Sequence, residues 1–204
     1  MAKAIKVYLV VEDPAHENIA RALFRRLSFE EGIRFSIGPA VRGGHGGVIT
    51  EIKGFQRALK KGAIPAGIPD LLVVLIDANC HDFQETKRNT ASIIDKSIFP
   101  FFIIGCPNPH IEKWLLIDQH ALNVLFGTSL SIPLGKCDKD FYKNELKKII
   151  KDGGWPITQG GIEYSQDIIE EMDFIKAIKN DPSFGNFVSD LKSTLKHIKA
   201  SLQL

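Results

Sequence analysis

Three runs of consecutive apolar residues punctuate the first half of the chain: 7–11 (VYLVV), 71–76 (LLVVLI) and 101–104 (FFII). They are rich in the β-branched and aromatic residues that favour strands. None alternates with polar positions, and a strand hydrophobic on both faces belongs in a parallel sheet covered by helices on either side. After the first run, Asp13-Pro14 supplies a helix N-cap and a suitable first helical residue. Ile19, Leu23 and Leu27 then recur every four residues, which predicts an amphipathic helix. Residues 34–41 (RFSIGPAV) read as a further strand, and 50–61 as a second helix with Ile52, Phe55 and Leu59 on one face.

After the third run, Asn108-Pro109 reads as another cap and first turn, opening a helix that Gly127 ends. The α/β alternation stops here. A basic helix is expected over 140–151, then a glycine-rich turn (GGWPITQGG), then helices starting near Ser165 and Ser183. In the last of these, Phe184, Phe187, Leu191, Leu195, Ile198 and Leu202 share one stripe. The expected fold is α/β and Rossmann-like: a mostly parallel sheet flanked by helices over 1–131, with a small helical C-terminal part over 132–204 packed on that core.

A chain of 204 residues is long enough for one substantial core. With 44% hydrophobic and 25% charged residues, a disordered or fibrous chain is excluded. The net charge of +2 is too small to draw the whole molecule onto nucleic acid, so any basic surface must be local. The three cysteines lie far apart without CxxC spacing, which argues against a zinc site or a disulfide framework and for reduced thiols. The first apolar run meets Glu12 short of signal-peptide length, and no run approaches the ~18 apolar residues of a membrane span. A cytoplasmic protein with no membrane partner is the expectation.

The chemistry is written in where the carboxylates stand. Glu12 directly follows the first strand and Asp77 directly follows LLVVLI, so both fall at carboxyl ends, where open parallel sheets bind their ligands. Glu112, early in the next helix, reaches the same rim. Three converging carboxylates repel one another unless a divalent cation is bound, and hard oxygen ligands suit magnesium. Asp13 and Glu17, by contrast, also suit a helix N-cap and its dipole. The RGGHGG segment lacks the Gly-Lys-Ser/Thr ending of a nucleotide-binding loop. Its Arg42, Gly43, Gly44 and His45 are candidates for a phosphate-binding nest, with a flexible hinge as the competing reading. No serine or cysteine carries the context of a nucleophile. Lys192, Lys196 and Lys199 read as a solvated face opposite an apolar stripe. Trp114 is expected to be buried, while Trp155 is a loop anchor or a partner contact.

At these residues the sequence resembles the TOPRIM fold, and in particular uncharacterised TOPRIM-like proteins related to the OLD-family nucleases. The resemblance runs through VVED (10–13), RGGHGG (42–47) before a helix, LLVVLIDAN (71–79) in place of a strand and Asp-x-Asp motif, and PHIEKWLLID (109–118). GIEYSQDI (161–168) and DPSFGNF (181–187) also fit. It implies Glu12 as general base or metal ligand, and Asp77 and Glu112 as ligands of Mg2+ or Mn2+. Asn79 replaces the second acid, offering a carbonyl oxygen but less charge for a second metal; His81 and Asp82 stand nearby, in what reads as a solvent loop. The family's phosphate-steadying lysine falls on Lys143, with Lys139 as competitor, although Lys143, Lys147, Lys148 and Lys151 equally form a solvated helix face. The implied function is metal-dependent cleavage of DNA or RNA, with a partner ATPase in bacterial phage defence. Self-association into a homo-oligomer stays open. Two rivals remain: a TOPRIM-like binding or regulatory subunit without catalysis, favoured by Asn79, and a phosphoacceptor receiver domain, suggested by Glu12-Asp13 and Asp77.

Overall fold

The computed structural model describes residues 4–64, 67–138 and 140–202, the side chains of His45 and Leu202 excepted. Five strands form one parallel sheet: β1 (Ile5–Val11), β2 (Phe35–Ile37), β3 (Val41–Arg42), β4 (Leu71–Leu75) and β5 (Phe102–Gly105). The order is β2-β1-β4-β5, with β3 pairing β1 beyond the end of β2. The chain therefore leaves β1 for one side and returns to build β4 and β5 on the other, so the order reverses between β1 and β4. The fold is α/β and Rossmann-like, as the apolar runs imply.

Continuous hydrophobicity resolves into two faces once the strand is pleated. Leu71, Val73 and Leu75 join β1 residues Val7, Leu9 and Val11 under helix α1 (Pro14–Glu31). Leu72, Val74 and Ile76 face the other way, against Val48 and Ile52 of helix α2 (Gly44–Lys60) and Phe99. Asp13 caps α1 by accepting from the His16 amide at 3.1 Å, and Gly32 closes the helix in the left-handed conformation.

Several boundaries differ from the sequence expectation. The strand over 34–41 is two short pieces, β2 and β3. α2 starts at Gly44 rather than near residue 50, with Gly43 as its N-cap. Gly43 suits this start because the backbone closes on it, a Cβ there lying 3.1 Å from the Gly47 Cα, and Gly44 because its φ is left-handed at 69°. Residues to which the sequence reading assigns no element form helix α3 (Phe83–Ser92), which Asp82 caps through the Gln84 amide. Asn108-Pro109 is a cis bond and caps nothing. The helical stretch instead begins at α4 (Glu112–Leu116) and breaks at Asp118, which accepts from the Ala121 amide to cap α5 (Gln119–Phe126). Gly127 ends α5, as expected.

The C-terminal part comprises α6 (Phe141–Asp152), a 3₁₀ turn (Ile162–Tyr164), α7 (Ser165–Glu171), α8 (Phe174–Asn180) and α9 (Pro182–Leu202). These helices enter the same apolar cluster as α1: α9 brings Phe184, Phe187 and Leu191, and α6 brings Leu146, Ile149 and Ile150. Trp114 is fully buried between Phe184 and Phe187, and its indole N–H donates to Ser183 Oγ at 3.0 Å, satisfying the one polar atom that burial would penalise. Trp155 packs edge-on against Phe126 and Tyr164, a loop anchor.

The cysteine reading is corrected: Cys80 and Cys137 are joined as a disulfide, with Cα atoms 5.9 Å apart, and Cys106 alone is free and buried. Among the described residues, no helix is long and apolar enough to cross a membrane.

Candidate metal centre at the sheet switch point

In open parallel sheets the crevice outside the carboxyl ends, where strand order reverses, is the position at which the backbone leaves room for a ligand. Here that crevice lies between β1 and β4. Glu12 stands one residue beyond β1 and Asp77 two residues beyond β4. The Glu12 carboxylate accepts from the Asp77 amide at 3.0 Å, which joins the two strand ends directly. The loop after β5 is drawn in by backbone bonds from Ala78 to the Pro107 carbonyl (2.8 Å) and from Asn79 to the Pro109 carbonyl (3.0 Å). That brings His110 and Glu112 to the same rim.

The side chain completing the cluster is His16, one turn into α1. It shares the buried face of the helix with Ile19, Ala20 and Leu23 and is itself wholly buried. Its Nδ1 lies 2.8 Å from Asp13 Oδ1 and its Nε2 3.0 Å from Asp77 Oδ1. The second Asp77 oxygen lies 3.2 Å from His110 Nδ1. Ligand atoms of Glu12, His16 and Asp77 all fall within 4.8 Å of one another, and the group can hold a metal ion. Its donors are two carboxylates and an imidazole. Glu112 can add a further hard oxygen from across the cleft.

The charges are strongly coupled. Burial alone would drive the His16 pKa down, but hydrogen bonds and charge from Asp13 and Asp77 outweigh it and hold the imidazole up at about 10. Burial likewise opposes ionisation of Asp77, yet His110 and His16 keep its carboxyl below the usual value, and His16 lowers Asp13 to about 2. The Asp77 hydrogen bond raises His110. Glu112 moves the other way: burial first, with repulsion from Asp77 and Asp13, outweighs a backbone hydrogen bond and the charge of His16 and pushes its carboxyl up.

The cleft above this cluster has a volume of about 170 Å³ and is lined by Asp13, Asp77, His110, Glu112, Asp140, Tyr142 and Lys143. Lys143, on the first turn of α6, faces the carboxylates across it. Lys139 and the His45 side chain lie outside the described residues. Asn79 is exposed on the loop, with left-handed φ of 49° and its amide turned back 3.4 Å from the Asp77 carbonyl; it does not line the cleft. The expected phosphate nest is also partly committed elsewhere. Gly44 N–H donates to the Glu12 carbonyl at 3.0 Å, and Arg42 Nε binds Glu17 at 2.7 Å. Glu17 accepts from Arg21 as well, and the two guanidiniums hold its carboxyl low against the effect of burial.

Glu12, Asp77, Glu112 and Lys143 are therefore brought together, while Asn79 and the Arg42–Gly44 segment stand apart. His16 and His110 were not anticipated. A histidine standing in the apolar stripe of α1, three residues after its cap, was the available signal for the first. Fold and site together define a Rossmann-like α/β protein with a carboxylate–histidine cluster at its switch point. No protein-family model, curated protein or solved structure matches the chain.

Proposed function

We propose that this cleft is the active site of a TOPRIM-like nuclease that hydrolyses phosphodiesters of DNA or RNA with a divalent cation, Mg2+ or Mn2+. The observation that carries the reading is the convergence of Glu12, His16 and Asp77 at the switch point, with Glu112 and Lys143 on the same cleft. Glu12, Asp77 and Glu112 would hold the cation, and the place the resemblance gives to a second β4 acid is left without one, since Asn79 stands outside the cleft. A cation bound there supplies neutralisation of the phosphate charge and a lowered pKa for water. Glu12, oriented by the Asp77 amide, accepts the proton of the attacking water. His16 and His110 grip both oxygens of Asp77 and keep it ionised and fixed. Lys143 meets the developing negative charge from the opposite wall. The resemblance extends the proposal to a cytoplasmic protein acting with a partner ATPase in phage defence.

The experiment is cleavage of single- and double-stranded DNA and RNA with Mg2+ or Mn2+, comparing the wild type with Asp77→Ala and Glu12→Ala. Metal-dependent cleavage that both substitutions abolish is the expected result. One observation favours a second reading: a protonated His16 bridges Asp13 and Asp77 and offsets one of their two charges, so the fold can hold this pair without a cation, as a binding or regulatory subunit would. Inactivity on every substrate would favour that role.

A further inference from the structure

A groove of about 1010 Å³ runs along α1 rather than over the cleft. One wall is a single helix face carrying Asn18, Arg21, Arg25 and Phe29, three or four residues apart. The other wall is β2, with Phe35, and the 159–166 segment, from which Gln166 hydrogen-bonds Arg25. The groove and the cleft both border α1. Asp13, which lines the cleft, caps that helix, and Arg25 lies twelve residues on, about 18 Å at the α-helical rise. Between them Arg21 and Arg42 share the one carboxylate of Glu17, and in the groove Arg21 and Arg25 stand against Glu163, whose carboxylate is turned onto the amides of Thr158, Gln159 and Gly161. At the far end Phe29 is 92% exposed, a ring face held out beside the arginines.

We propose that this groove is a subsite for single-stranded nucleic acid, feeding the strand to the cleft; the inference rests on the nuclease reading above. A sequence-tolerant single-strand site needs a basic track for the backbone and aromatic faces on which bases stack. Arg25, with the Glu17-paired Arg21 beside it, supplies the first, and exposed Phe29, with the outer edge of half-buried Phe35, the second. An extended peptide added to the free edge of β2 is the competing occupant. That strand has only three residues, and the next carbonyl, Gly38, already accepts from Arg21 at 2.7 Å, so the edge offers too little backbone to pair.

The test is fluorescence anisotropy of a labelled oligothymidylate with the full chain in EDTA, where binding is read without cleavage. Phe29→Ala is expected to weaken binding by roughly tenfold. Arg25→Gln should lower the slope of log affinity against log salt by about 0.7. Lys196→Gln on α9 is the control expected to change neither. Arg25 and Phe29 are exposed, and circular dichroism verifies that the variants fold. Unchanged affinity and slope in both groove variants would overturn the subsite, as would displacement of the oligonucleotide by an extended uncharged peptide. Cleavage, assayed separately with Mg2+, distinguishes the two claims. Binding through the groove without cleavage keeps the subsite and retires the nuclease, and cleavage with groove variants that bind normally does the reverse.

Discussion

Replacing His16 with glutamine keeps a polar side chain near Asp13 and Asp77 but removes the group that titrates. In the folded protein the imidazole is held at about 10 against an ordinary value of 6.5. A folded pKa above the unfolded one means that the stabilisation is fully present below pH 6.5 and is lost as pH rises towards 10. The full shift corresponds to about 5 kcal/mol, an upper bound because local opening of the N-terminal turn of α1 would relieve part of it. The partners set the acid side. Asp13 is depressed from 3.8 to about 2 and Asp77 is also lowered, so their contribution is present above the ordinary carboxylate value and lost as pH falls through the folded ones. These are the same hydrogen bonds viewed from the other end and do not add to the His16 figure. The metal-free protein is thus expected to be most stable between about pH 4 and 6.5 as far as this cluster decides it. The assay is urea unfolding in EDTA at intervals from pH 5 to 10, wild type against His16→Gln. The wild type should lose several kcal/mol relative to the variant as pH rises from 6.5. A difference between the two that stays constant across this range would refute the buried imidazolium.

Three further outcomes follow from individual contacts. A methyl group on Gly105 would press on Leu75, Phe187 and Trp114, so Gly105→Ala should lower the urea midpoint by an amount equivalent to about 1–3 kcal/mol; an unchanged midpoint would mean that β5 and α9 are not packed this closely. The Cys80–Cys137 link closes a 57-residue separation, and its loss by reduction or Cys137→Ser should cost about 4 kcal/mol by loop-closure entropy, read by unfolding with and without reductant. Equal stability in both conditions would show that the link is not formed in solution. Lys143→Gln should reduce cleavage by roughly 100-fold while leaving metal affinity nearly intact, since the lysine acts on charge that develops during reaction. A parallel loss of metal binding would assign it a different role.

The parts of the fold that were legible in the sequence are those with strong hydrophobic signatures. The runs ending at Val11 and Ile76 could only be doubly covered strands, and the carboxylates that follow them could only stand at carboxyl ends once the sheet was parallel. Helix α3 was hidden because it has almost no buried face: of its residues only Thr90 is fully covered, so FQETKRNTAS carries no apolar period. β3 is two residues long and owes its existence to its β1 neighbours rather than to its own composition. Asn108-Pro109 has the local look of a helix start, but tertiary contacts of the β5 loop place it before the helix. His16 was concealed for the opposite reason to α3. It lies within an apolar stripe, where a histidine is read as one more core position, and its meaning comes from Asp77, sixty-one residues away. Pairing of Cys80 with Cys137 likewise depends on two loops meeting in the folded chain, which spacing does not encode.

The claim on which the account turns is that Glu12, Asp77 and Glu112 hold a divalent cation beside His16, and Mn2+ titration followed by electron paramagnetic resonance tests it without requiring any substrate. The wild type is predicted to bind Mn2+ at this site, with binding lost in Asp77→Ala and strongly weakened in Glu12→Gln and Glu112→Gln. Binding that survives Asp77→Ala unchanged, or no binding by the wild type, would contradict it.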